Sequence, residues 1–147
     1  MAEAVRVRIR RLDPDLPLPR YATDGSAGFD LYCREDTEIA SGGIALLRTG
    51  VAIATPPGTM LLVTARSSTP RRKGLSVPHG VGIIDQDYSG DEDEIRCQVY
   101  NFRGEPVLVQ RGERIAQGIV VPIMRVVWDE VPSMGRPSRG GFGSTGG

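Results

Sequence analysis

The sequence predicts an all-β protein, and three observations carry that prediction. Apolar residues recur with a period of two, turn-forming clusters interrupt them at short intervals, and no window holds an amphipathic helix with caps at both ends. Taken in order, VRVRIR (5–10) sets Val5, Val7 and Ile9 on one face and arginines on the other, as a half-buried strand does. IALLRTGVAIATP (44–56) and TMLLVTA (59–65) read as further strands, and GVGII (80–84) is strand-like. IRCQVYNF (95–102) alternates Ile95, Cys97 and Val99, and PVLVQ (106–110) and RIAQGIVVPIM (114–124) complete the set. Between them lie TDGSAG, SGG, PPG, SGDEDE, RGE and QRGE, all rich in residues that turns require. A sandwich, a jelly roll and a barrel all satisfy this pattern.

Composition narrows the function. The 147 residues suffice for one domain with a core. Lys+Arg and Asp+Glu balance at 18 each, so no global basic field recruits nucleic acid, and aromatics are too sparse for a base-stacking platform. No apolar run is long enough to span a membrane, and MAEAVRVRIRR lacks the apolar stretch of a signal peptide, so a cytoplasmic protein with neither a nucleic-acid nor a membrane partner is expected. His79 is the only histidine and Lys73 the only lysine, which excludes a multi-histidine metal site and a Walker A loop. Cys33 and Cys97 are expected as buried thiols.

From Val131 the chain changes character. VPSMGRPSRGGFGSTGG (131–147) holds two prolines and six glycines and little that enters a core, so a β domain over 1–131 and a flexible arm over 132–147 are expected. Gly141, Gly143 and Gly146 spell G-x-G-x-x-G, but a dinucleotide fingerprint must leave a strand and open a helix, and here no helix follows. Phe142 among the glycines has no purpose in a solvated tail. Extended, the arm reaches roughly 50 Å, far enough to meet another subunit.

Four stretches carry polar groups suited to chemistry. IIDQDYSG (83–90) delivers Asp85, Asp87 and Tyr88 at the end of a strand. Either these residues form a polar turn, or Asp85 is a general base for water, a role that falls to a carboxylate in a chain with one histidine. TARSSTP (64–70) is an ordinary turn or a phosphate cradle of Arg66, Ser67 and Ser68. Gln117 is the odd polar residue of RIAQGIVV, facing a ligand if it points inward. Asp30 in SAGFDLY (26–32) sits among apolar residues, where a buried carboxylate needs an arginine or a metal-bound water. Two charge runs, RRK (71–73) and DEDE (91–94), are expected to be solvated loops. DEDE lacks EF-hand spacing.

Together these stretches resemble the five ordered motifs of the trimeric deoxyuridine triphosphatase (dUTPase) family. AGFDL (27–31), ARSS (65–68), GVGIIDQDYSG (80–90), RGERIAQ (111–117) and RGGFGSTG (139–146) stand in the family's order. The resemblance implies a jelly-roll-like β-barrel in a homotrimer with active sites at subunit interfaces. It implies Mg²⁺-dependent hydrolysis of dUTP to dUMP and pyrophosphate, which keeps uracil out of DNA and supplies dUMP for thymidylate synthesis. By the same resemblance Asp85 activates water, Tyr88 packs under the deoxyribose, and the hairpin of His79, Ile83, Ile84 and Arg96 reads uracil. Arg66, Ser67, Ser68 and Gln117 hold phosphate oxygens. Asp30 supports the metal through water, the ion itself being held mainly by the phosphates. Arg139, Phe142, Gly143 and Ser144 of the arm close over the nucleotide, the phenyl ring stacking on uracil.

The chain departs from that pattern in places. His79 stands where asparagine is frequent, Thr69 and Pro70 stand where leucine is usual, and the loop from Gly90 to Asn101 is longer than the usual hairpin. Counting back from Asn101 assigns Arg96 to the uracil-facing position. The related dCTP deaminases need a glutamate three residues before that asparagine, and the residue here is Gln98. The other alternative, a non-catalytic nucleotide sensor on the same scaffold, is disfavoured by the presence of both Asp85 and the arm.

Overall fold

The computed structural model describes residues 3–144 and 146; Met1, Ala2, Thr145 of the expected fifth motif and Gly147 lie outside the described residues. The chain is all-β and jelly-roll-like, built from antiparallel ladders. Its strands are β1 (Arg8–Arg11), β2 (Phe29–Tyr32), β3 (Thr37–Ile39), β4 (Ile44–Arg48), β5 (Val51–Ala54), β6 (Thr59–Ala65), β7 (Leu75–Ser76), β8 (Gly82–Ile84), β9 (Arg96–Asn101), β10 (Val107–Val109) and β11 (Arg114–Pro122). One five-residue helix, α1 (Thr69–Lys73), precedes β7. The ladders run β2-β11-β6-β8, β4-β9-β7, β1-β5 and β10-β3.

Alternation does the folding work. Leu61 and Val63 of β6, Cys97 and Val99 of β9, and Val107 and Val109 of β10 point inward and join Leu31, Cys33, Leu47, Ile53, Ile95 and Ile115 in one buried cluster. Both cysteines are buried and free; burial raises the Cys33 thiol and pushes Cys97 up to about 12, so neither is a thiolate at neutral pH. Asn101 is a polar residue buried completely in that interior. Its amide nitrogen donates to the carbonyls of Ile39, Ala40 and Glu105 and its oxygen accepts from the Arg103 amide, so its burial leaves nothing unpaired.

Four expectations are revised. The run 44–56 is two strands, because the chain turns at Thr49 and Gly50, where Gly50 takes φ +73°. The RRK run belongs to a helical turn rather than a loop: Pro70 opens it, and left-handed Gly74 ends it with its amide donating to the Pro70 carbonyl. Val5 and Ile9 remain exposed and Val7 is half-buried, because β1 pairs only with β5 and one face of that ribbon is uncovered within a single chain. Lastly, DEDE stays in solvent only in part: Asp91 and Glu92 are exposed, but Glu94 is buried. From Pro122, the last residue of β11, residues 122–140 are exposed along their whole length, and no helix among the described residues is long and apolar enough to cross a membrane.

Candidate active site

The four-stranded sheet arranges the candidate residues into two groups at opposite ends of β6. At the first, Gln117 of β11 sits opposite Asp30 of β2 on one side and Thr64 of β6 on the other. Arg66, Ser67 and Ser68 follow directly as β6 ends. Asp30 is buried, and its carboxylate is shared by Arg66, whose Nε lies 3.1 Å from Oδ1, and Arg114, whose guanidinium lies 3.4 Å from Oδ2. Arginine thus supplies the partner that burial demands. Arg114 lies within RGERIAQ, but nothing in its sequence neighbourhood marks it as a partner of Asp30. Only the pairing of β11 with β2, offset by a bulge between Arg114 and Ala116, brings it there.

Gln117 is held with care. Its amide nitrogen donates to the Ala65 carbonyl at 3.0 Å, and its oxygen lies over Gly28, where an added Cβ would approach to 2.6 Å. The glycine of AGFDL is therefore the residue that makes room for the glutamine of RGERIAQ. Ser67 is exposed, while Ser68 stands at the N-cap of α1 without a side-chain capping bond, so its hydroxyl is not committed to the helix.

The second group surrounds β8. A cleft of about 360 Å³ is lined by His79, Ile83, Ile84 and Arg96 together with Leu46, Val77 and Gln98. Its walls are mostly apolar, with a few polar tips, as suits a flat heterocycle. One residue further along the chain, Asp85 leaves the strand into an adjoining groove shared with Asp87, Thr59 and Arg125. Residues 85–88 form a turn in which the Tyr88 amide donates to the Asp85 carbonyl at 3.1 Å. The Tyr88 hydroxyl donates to the Glu94 carbonyl at 3.0 Å. The sequence reading missed Arg125 and Gln98 as neighbours of these groups. Gln98 had a signal, its place on the same strand face as Arg96.

Register measures the gap between the groups. Leu61 pairs with Ile84, so Asp85 is level with Met60, six residues along β6 from Arg66. At about 3.3 Å per residue the two ends lie roughly 20 Å apart. Among the described residues the arm bridges nothing within the chain. Arg139, Phe142, Gly143 and Ser144 are all exposed, and residues 141–144 turn on themselves through Ser144, whose hydroxyl accepts from the Gly141 amide. Phe142 takes φ +50°, a left-handed backbone that a phenylalanine rarely adopts.

The dUTPase family model matches residues 15–146. The chain belongs to the dUTPase family. It is 46% identical over 148 aligned residues to the deoxyuridine 5'-triphosphate nucleotidohydrolase of Dictyoglomus turgidum, covering 97% of this chain and 99% of that one. The corresponding protein of Thermobifida fusca is 47% identical over 97% of this chain and 80% of its own. Among solved structures, the crystal structure of dUTPase from Streptococcus mutans superposes with a TM-score of 0.75 at 35% identity, over 82% of this chain and 98% of that chain. This dUTPase-family chain therefore carries its candidate residues on the fold of enzymes.

Proposed function

We propose that the protein hydrolyses dUTP to dUMP and pyrophosphate. The observation that carries the reading is the junction of β8 with the turn after it: a base-sized cleft ends where Asp85 begins. Uracil seated against Ile83, Ile84, His79 and Arg96 leaves its sugar beside Tyr88 and its α-phosphorus within reach of water held by Asp85. That carboxylate takes the water proton as the oxygen forms its bond to the α-phosphorus. The bond from the α-phosphorus to the bridging oxygen breaks, and pyrophosphate leaves. General-base help of this kind contributes about 10²–10⁴-fold.

The cationic end of the sheet supplies what phosphoryl transfer needs most, charge compensation and position. Arg66, Ser67, Ser68 and Gln117 are the phosphate-holding set, with Asp30 fixing the guanidinium of Arg66. A span of roughly 20 Å separates this set from Asp85 in one chain, so a site holding both is built from different copies. A homotrimer satisfies that, and so do the bare apolar side chains after β11: Met124, Val127 and Trp128 are 94%, 97% and 88% exposed, far more than such residues tolerate without a partner surface. The arm, 132–147, reaches across from a neighbour and closes the site, with Arg139 on the terminal phosphates and Phe142 over the base.

Among the described residues no three metal-ligating side chains gather, and both oxygens of Asp30 already face arginines. The residues therefore fit Mg²⁺ carried by the triphosphate itself, with Asp30 touching its hydration shell. When bound, the ion neutralises phosphate charge. A cytoplasmic location accords with a free nucleotide substrate.

The test is a product assay. Protein with Mg²⁺ is offered dUTP, dCTP, dTTP and UTP separately, with pyrophosphate and ammonia both followed. Pyrophosphate from dUTP alone is expected, and Asp85→Asn is expected to retain dUTP binding while losing at least about 10²-fold in turnover. Ammonia from dCTP would assign the chain to deamination instead, and binding without turnover would make it a sensor.

A further inference from the structure

The acidic run at 91–94 sinks its last residue into the protein, and that residue holds the turn that carries Asp85. Glu94 is 3% exposed. Its Oε1 accepts from Arg48 Nε at 2.8 Å, and its Oε2 accepts from the Gly50 amide at 2.9 Å and from Arg34 at 3.2 Å. The backbone next to it is fixed as firmly. The Ile95 amide donates to the Val51 carbonyl at 2.8 Å, and the Ile95 carbonyl accepts from both the amide and the hydroxyl of Thr49. The Glu94 carbonyl is thus a stationary acceptor, and the group that uses it is the hydroxyl of Tyr88.

Tyr88 needs such an anchor. Tyr88 is 40% exposed, so packing alone does not select its rotamer. It also shares a turn with Asp85 through the bond from its own amide, so whatever fixes the tyrosine fixes that turn. The first part of the acidic run is tied down separately and weakly, by Arg10 to the Asp91 carbonyl and the Glu92 carboxylate at the surface.

We propose that Glu94 is a positioning residue for sugar selection: bound by Arg34, Arg48 and the Gly50 amide, it holds Tyr88 by the hydroxyl as the wall that refuses a 2′-hydroxyl. The inference rests on the reading that Tyr88 packs under the deoxyribose. Glutamine at position 94 keeps the shape but must turn an NH₂ toward the Arg48 or the Arg34 and Gly50 donors, so the knot loosens.

The experiment compares kcat/KM for dUTP with that for UTP in wild type, Glu94→Gln, Tyr88→Phe, the double variant, Tyr88→Ala and Glu92→Gln, with Tm recorded for each. Glu94→Gln and Tyr88→Phe are each expected to cut the preference for dUTP by about 2- to 10-fold, the worth of one such hydrogen bond. The double variant is expected to lose no more than the larger single loss, because both act through one bond. Glu92→Gln is expected to keep the wild-type preference. A lower Tm with unchanged preference in Glu94→Gln, or losses that multiply in the double variant, would overturn the proposal. Should Glu94→Gln fail to fold, Tyr88→Phe decides alone, since it removes only a hydroxyl from a half-exposed ring: wild-type preference there sinks the tether. If the preference survives even Tyr88→Ala, it is the sugar-wall reading that fails. Lost preference in Tyr88→Ala beside wild-type preference in Tyr88→Phe sinks the tether alone.

Discussion

Two polar stretches of this chain look equally featureless as sequence and end in opposite environments. DEDE (91–94) and the glycine-rich run after Val131 both lack the apolar residues that bury a segment. Yet Glu94 is 3% exposed, bound by two arginines and a backbone amide, while every residue from 122 to 140 is exposed. The difference lies in what stands opposite. Glu94 meets Arg34 just past β2, Arg48 at the end of β4 and the Gly50 turn, three groups distant in sequence that the ladders gather. Among the described residues the arm meets nothing of its own chain. Polar composition alone therefore separates neither a structural knot from a tail, nor a tail from a lid awaiting its substrate.

Breaking the two stretches should separate turnover from stability. The largest effect is expected from deleting residues 139–147. Turnover of dUTP should fall by about 10²-fold, as misplaced reacting groups cost, while the urea midpoint stays where it was, because the removed residues support no core. An active truncation would make the arm a tail only. Next comes Glu94→Ala, which leaves Arg34 and Arg48 facing an emptied, partly buried site. Stability should drop by about 3 kcal/mol, read from urea unfolding. A loss smaller than about 1 kcal/mol would mean the knot is as weak as a surface pair.

Acid sharpens the same contrast. Burial pushes the Glu94 carboxyl up, but the hydrogen bonds from Arg48, the Gly50 amide and Arg34 outweigh it and hold the group below the ordinary glutamate range. The folded value being the lower one, the knot's contribution is complete above about pH 4.3, the unfolded glutamate value, and is lost as pH falls through the folded value. Wild type and Glu94→Gln should therefore differ in unfolding free energy at neutral pH and converge in acid. A constant gap would remove Glu94 as the titrating group. The smallest effect is expected at Glu92, whose partner Arg10 is half exposed. Glu92→Gln should change stability by less than about 0.5 kcal/mol.

Much of the fold was legible because alternation is a local signal. TMLLVTA became β6 residue for residue, and IRCQVYNF contained β9. Short strands such as β3 and β7 were not legible, since two or three residues carry no period. The site was legible as a set of motifs but not as a shape. Asp30, Gln117 and Arg66 converge because β11 lies between β2 and β6, and Arg114 joins them through a bulge that no spacing announces.

The sequence by itself determined the all-β class and the order of the strands' apolar faces, and it marked which side chains are candidates for chemistry, because each is read from neighbours one or two residues away. Tertiary structure alone decided that Asp85 and Arg66 lie at opposite ends of one sheet, that Gly28 makes room for Gln117, and that Glu94 is buried. Those depend on cross-strand register, which joins residues dozens of positions apart, and on the dielectric that burial creates around them.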